Sequence, residues 1–239
     1  MTPDARMRVE SVSKVWTATL ILLLDQDGVL SVDDTVEDWL SGLLPDADRI
    51  TIRHLLFEPG TQQRHSNIGF NIAGMIAERA SGTDLGTLLR DRIFVPAGLD
   101  ETAFDPQGPI SGPHASGYTR DGREWTDVTA EHGGKGADGG IVTDAADTAK
   151  FLTRLMAGEV LGREQLARLR GDAFWGGGSA SGCAGTAFDA VGAGDGFRAH
   201  VIVDRRGTRV AVLLLKGRAG DTAVDRAAAD AALQLYCAA

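Results

Sequence analysis

The chain has 239 residues, 43% hydrophobic and 24% charged, with a net charge of −9 and a pI near 5.0. That composition suits one large globular domain or two intimate lobes. The acidic balance argues against a nucleic-acid or anionic-membrane partner, since either would select for a basic patch. Cys183 and Cys237 are too few for a disulfide framework and have no metal-ligand spacing. They read as small buried residues in a reducing compartment. Met1 to Glu10 lacks the apolar core of a signal peptide, and Leu20 to Leu24 is far too short to span a bilayer. A cytoplasmic address follows, with no metal and no organic cofactor.

The first predicted helix runs from about Ser11 to Asp25 and stops at the turn Gln26-Asp27-Gly28. Val29 to Asp34 reads as a short extended or turn segment, and Val36 to Leu40 as a single helical turn. Thr51 caps a short helix over Ile52 to Leu56, which Pro59-Gly60 ends. The spacing of Ile72, Met75, Ile76 and Arg79 predicts a longer helix from about Ile68 to Ala80, closed by Ser81-Gly82. Leu85 to Ile93 is a helix stopped before Pro96. Residues 105 to 140 read as a long loop with little regular structure. Thr143 or Asp144 caps a helix through Met156, and Arg163 to Leu169 is a short one. Beyond Gly176-Gly177-Gly178 the pattern turns to strands. Phe197 to Asp204 and Val210 to Leu215 form a hairpin about Arg206-Gly207, and Thr222 to Cys237 is an Ala-rich closing helix. Helices first, antiparallel strands next and a final helix make an α+β fold, a helical lobe packed against an antiparallel sheet, read as one unit over residues 1–239.

One pair of residues carries chemistry on its own. Ser11 and Lys14, in Glu10-Ser11-Val12-Ser13-Lys14-Val15-Trp16, lie one helical turn apart on one face. A hydroxyl at a helix start beside an amine suits alkoxide formation, because a base takes the proton and the helix N-terminus stabilises the charge. The apolar run Leu20 to Leu24 makes this helix a central, buried one. A lysine at its rim loses hydration, which brings the neutral amine within reach.

Further blocks follow in order: Leu24-Asp25-Gln26-Asp27-Gly28-Val29-Leu30-Ser31-Val32-Asp33-Asp34, Ile50-Thr51-Ile52-Arg53-His54-Leu55-Leu56, Pro59-Gly60-Thr61, Ser66-Asn67-Ile68-Gly69-Phe70, and Gly139-Gly140-Ile141-Val142-Thr143 ahead of a helix ending Lys150-Phe151. With Ser11-Val12-Ser13-Lys14, they resemble the serine β-lactamase and penicillin-binding-protein superfamily, in its class C β-lactamase, D,D-peptidase and esterase branch. The resemblance covers roughly residues 6 to 156 and implies a β-lactamase-like fold and an acyl-enzyme mechanism. Ser11 would be the nucleophile and Lys14 its proton-transfer partner. The family's second motif, Tyr-x-Asn, matches His65-Ser66-Asn67. Asn67 would orient Lys14 and the substrate carbonyl. His65 reads equally as a spare polar residue or as an imidazole base in the place of Tyr.

The third motif, Lys- or His-x-Gly on a strand lining the site, matches Ala190-Val191-Gly192, without its cationic or imidazole group. Gly192 would let the backbone approach, and the Ala193 N–H could join that of Ser11 in an oxyanion hole. His132-Gly133-Gly134 is a second match to H-x-G, before the Gly139-Gly140 block rather than on the late sheet. Trp175, beside the glycine run, is the tryptophan to watch for a substrate contact. Trp39 and Trp125 read as packing, and His54, His114 and His200 as structural.

Two departures from the family pattern carry expectations. Only ten residues precede Ser11, where the family has a helix and two strands, so a sheet edge is left uncovered and a homodimer or partner chain is expected there. Only Phe57 and Glu58 separate the Arg53-His54-Leu55-Leu56 block from Pro59-Gly60-Thr61, which should open the cleft to a bulky or carrier-bound acyl donor. The expected function is a serine hydrolase or acyltransferase acting on an ester, thioester or amide, in a biosynthetic or tailoring role, and a poor β-lactamase. The alternative is a non-catalytic binding protein that keeps the fold.

Overall fold

The apolar run Leu20 to Leu24 becomes the centre of the protein. In the computed structural model, which describes residues 5–57, 66–121, 124–130, 136–171, 183, 187–217 and 222–238, helix α1 (Ser13–Gln26) buries every residue from Ser13 to Leu24. Packing on all sides is why this helix lacks a polar face. Trp16 stacks on Phe151 with ring centroids 4.6 Å apart.

The helical part follows the capping chemistry of the sequence. Thr35 caps α2 (Val36–Trp39) and Thr51 caps α3 (Ile52–Leu56), each through a reciprocal capping box. Ser66 caps α4 (Asn67–Ser81), whose end is closed by Gly82 in the left-handed region at φ 69°. Asp84 caps α5 (Leu85–Leu89). The expected stop before Pro96 is corrected. A π-turn over Arg90–Phe94 leads directly into α6 (Val95–Ala97), where Pro96 sits in the first turn and needs no N–H partner. Asp144 caps α7 (Ala145–Ala157), and α8 is Arg163–Gly171.

Two small sheets lie between helices. β1 (Met7–Arg8) and β2 (Ala103–Phe104) flank β5 (Ile141–Thr143) in antiparallel register, Met7 opposite Thr143 and Ala103 opposite Val142. β3 (Tyr118–Asp121) and β4 (Glu124–Asp127) form a hairpin inside the stretch expected to be irregular. Asp121-Gly122 was its turn signal.

The main sheet has the order β6 (Ala187–Ala193), β7 (Phe197–Asp204), β8 (Val210–Lys216), antiparallel throughout. Phe197, Ala199, Val201 and Val203 face the main core. The alternate residue Ile202 joins Ala187, Ala211, Ala232 and Tyr236 beneath helix α9 (Thr222–Ala238). Among the described residues β8 closes one side of this sheet and β6 the other.

The expectation of reduced cysteines is corrected. Cys183 and Cys237 form a disulfide, because the end of α9 returns beside the approach to β6 with the two Cα atoms 5.5 Å apart. Such bonds persist in oxidising compartments, so the cysteines no longer support a cytoplasmic address. No described helix is long and apolar enough to cross a membrane.

Candidate active site

Ser11 stands where β1 passes into α1. The Val9 N–H donates to Ile141 O at 3.2 Å, which fixes the end of the small sheet. Glu10 then takes a left-handed conformation, φ 53°, in a buried position. Side-chain-bearing residues rarely adopt it. The reversal opens a short 3₁₀ turn, Glu10–Val12, that leads into α1 and leaves Ser11 half-buried. Arg8 holds the strand before it, donating from Nη1 to Asp105 O at 2.5 Å and from Nη2 to Gly108 O at 2.6 Å. Burial lowers the Arg8 guanidinium pKa, and Asp105 opposes the shift.

Lys14 is 1% exposed and its Nζ is the hub of the site. Nζ lies 2.9 Å from Ser11 Oγ, 2.9 Å from Asn67 Oδ1 and 3.2 Å from the backbone O of Asp138. It also sits 5.6 Å from the Phe70 ring centroid. Of the three oxygens, Asn67 Oδ1 and Asp138 O carry no hydrogen and can only accept. Ser11 Oγ alone can also donate. When Lys14 is neutral, its two N–H bonds satisfy the two obligate acceptors and its lone pair turns to the Ser11 hydroxyl. Such an arrangement can orient a base toward a nucleophile.

Each partner is placed by its own element. Asn67 opens α4, which packs against α1. Asp138 lies in the loop before β5, where Thr17 Oγ1 of α1 donates to Ala137 O at 2.6 Å. The Ile141 N–H donates to Ser13 Oγ at 3.1 Å. The Asp138 carbonyl was not foreseen, since a backbone group has no letter in the sequence. The Gly139-Gly140 block beside it was the available signal.

The edge of β6 closes the other side. A Cβ on Gly192 would lie 2.1 Å from Val9 O and 3.1 Å from Ser11 N, so only glycine fits. The Gly194 N–H donates to Phe197 O at 3.1 Å. The alternation of an antiparallel ladder then turns the Ala193 N–H away from β7. Ala190 stands two residues before Gly192, so no cationic or imidazole side chain occupies that strand position.

Lys14 thus contacts both Ser11 and Asn67, with Gly192 alongside Ser11. His65, Trp175 and His132 lie outside the described residues. His54 caps α3, through Nδ1 accepting from the Thr51 N–H at 3.2 Å, and takes no part in the site. His200 lies on β7, on the strand face that turns to α9.

The family model described as Beta-lactamase matches residues 1–235. The chain belongs to the Beta-lactamase family. It is 30% identical to Penicillin-binding protein 4* of Bacillus subtilis (strain 168), over 41% of this chain and 30% of that one. It is 30% identical to the D-aminopeptidase of Brucella ovis, over 51% of this chain and 30% of that one. These matches span about a third of those relatives' length. In three dimensions the chain is similar to a D-stereospecific amidohydrolase from Streptomyces sp., with TM-score 0.84 and 22% identity, covering 99% of this chain and 88% of that one. It is also similar to the D-amino acid amidase of Ochrobactrum anthropi SV3, with TM-score 0.79 and 22% identity over 98% and 85% of the two chains. The β-lactamase-like fold read from the ordered blocks is therefore the fold of the chain.

Proposed function

We propose that this protein is a serine hydrolase that forms an acyl-enzyme on Ser11 and acts on amides or esters whose leaving group carries no carboxylate to be clamped. The observation that carries the reading is Lys14 Nζ at 2.9 Å from Ser11 Oγ, with obligate acceptors at Asn67 and Asp138.

Ser11 Oγ attacks the substrate carbonyl carbon as its proton passes to neutral Lys14. The resulting oxyanion is received by the backbone N–H groups of Ser11 and Ala193. Collapse breaks the bond to the leaving amine or alcohol, which takes the proton from Lys14. Water then attacks the ester on Ser11 with the same lysine as base, and the acid is released. The reading with a second acceptor in place of water, acyl transfer, uses the same first half.

Ala190 sets the substrate limits. A substrate that docks through a carboxylate, as β-lactams and D-Ala-D-Ala peptides do, loses its charged partner at this strand position. Relatives named for D-aminopeptidase and D-amino acid amidase activity favour small amides with a D-configured acyl residue. A single observation favours a second reading, a binding protein without turnover: the same Ala190, taken as loss of a catalytic group.

The test is turnover of D- and L-alanine p-nitroanilide and of a neutral p-nitrophenyl ester, with a chromogenic cephalosporin as comparison. A p-nitrophenol burst matching the enzyme concentration, followed by steady release, is expected, with anilide turnover favouring the D form and little cephalosporin cleavage. Ligand binding with neither burst nor turnover would leave the binding protein as the better account.

A further inference from the structure

A second asparagine of α4 lies one turn beyond Asn67, and it touches the backbone that supplies a partner to Lys14. The Asp138 N–H donates to Asn71 Oδ1 at 3.3 Å, while the carbonyl of the same residue accepts from Lys14 Nζ at 3.2 Å. The loop around this contact is tightly turned. Gly139 and Gly140 N–H groups both donate to Gly136 O, at 3.2 and 2.9 Å, and the Gly136 N–H donates to Asp138 Oδ1 at 3.2 Å. A Cβ on Gly136 would lie 2.6 Å from Asn71 Oδ1, so the amide is seated directly on the loop backbone.

We propose that Asn71 is a positioning residue for Lys14, acting through the loop 136–140; this rests on the reading of Lys14 as the base for Ser11. The geometry separates two duties on one helix face. Asn67 holds Lys14 Nζ through a side-chain oxygen. Asn71, at i+4, holds it through the orientation of a peptide plane, because fixing the Asp138 N–H and its neighbours fixes the direction of the adjoining chain. Without that anchor the loop is still tied at Ala137 by Thr17, but the Asp138 carbonyl can swing off Lys14. The amine then has a free choice of hydrogen-bond directions, and its lone pair is no longer committed to Ser11. Misplacement of a reacting group by about 1 Å costs on the order of 100-fold in favourable cases. An indirect anchor should cost less.

The test is the second-order rate of Ser11 labelling by a fluorophosphonate, followed by intact mass, in four variants. Asn71→Leu keeps the size but has no acceptor, and should label about tenfold more slowly than the native chain. Gly136→Ala drives its Cβ into the Asn71 amide and should slow labelling similarly. The double variant should be no slower than the slower single one, since both changes break one linkage. Asn71→Asp keeps an acceptor oxygen and should recover labelling to within about threefold of the native rate. Thermal unfolding of each variant confirms that the fold is retained. Native-rate labelling of both single variants would overturn the positioning role, as would additive losses in the double variant or failure of Asn71→Asp to recover. If the native chain itself is not labelled, the reading of Ser11 and Lys14 falls, and the role of Asn71 falls with it.

Discussion

The two walls of the site differ in how they are made. On the helical side, α1, α4 and the loop before β5 surround Lys14 with oxygen atoms at 2.9 to 3.2 Å, each placed by a different element. On the sheet side, β6 offers backbone only. Gly192 closes against Ser11, the Ala193 N–H faces outward, and Ala190 brings no charge to the cleft. The contrast separates proton handling from substrate holding. In the reading proposed above, the described groups around Lys14 would activate the nucleophile, whereas a side-chain group to grip a substrate's carboxylate is absent from its strand position.

The contrast is broken most severely from the helical side. Ser11→Ala should abolish the p-nitrophenol burst and lower ester turnover by roughly 10⁴-fold or more, read by stopped-flow release. Lys14→Met should cost about 10²–10⁴-fold in acylation. It should also lower the melting temperature, since the Asp138 carbonyl, which accepts from Lys14 in a buried hydrogen bond, loses its donor. From the sheet side, Gly192→Ala forces β6 away from Val9 O. A loss of about 1–3 kcal/mol of stability is expected from the overpacking, with slower acylation as Ala193 moves off. Ala190→Lys sharpens the contrast instead. KM for a carboxylate-bearing ester should fall by roughly tenfold, while kcat/KM for a neutral ester stays within about twofold, if charge alone is missing from that wall.

The smallest effect belongs to the far face of the sheet. His200 is buried, and both its burial and the neighbouring Arg198 lower its pKa, against an opposing effect of Asp225. The unfolded chain therefore takes up a proton at this residue near pH 6.5 while the folded chain stays neutral there. Stability from this source is present above that pH and declines as the pH falls. A melting series from pH 7.5 to 5 should show a decline that His200→Gln flattens, with ester turnover at pH 7.5 unchanged.

Local chemistry made much of the fold legible. Thr51 and Asp144 announced their helices by capping, Ser81-Gly82 its stop, and the Val210 to Leu215 run its strand. Ser11 and Lys14 could be paired because helical spacing is short-range. What failed depended on partners distant in the chain or on signals outvoted by composition. Cys183 and Cys237 are 54 residues apart, and nothing local says that α9 returns to the start of β6. The β3–β4 hairpin was hidden by the glycine and polar residues around it. Pro96 was read as a helix stop, although a proline in a first turn is tolerated. In the site, Asn67 and Gly192 were found by motif order, whereas the Asp138 carbonyl and Asn71 required coordinates: one is a backbone group and the other acts on a loop far along the sequence.

Peptide mapping of the fluorophosphonate adduct tests the central claim most directly. A single adduct is expected on the peptide containing Ser11, absent in Ser11→Ala and formed at least about 100-fold more slowly in Lys14→Met. An adduct at another residue, or equal labelling with and without the Lys14 amine in folded protein, would contradict it.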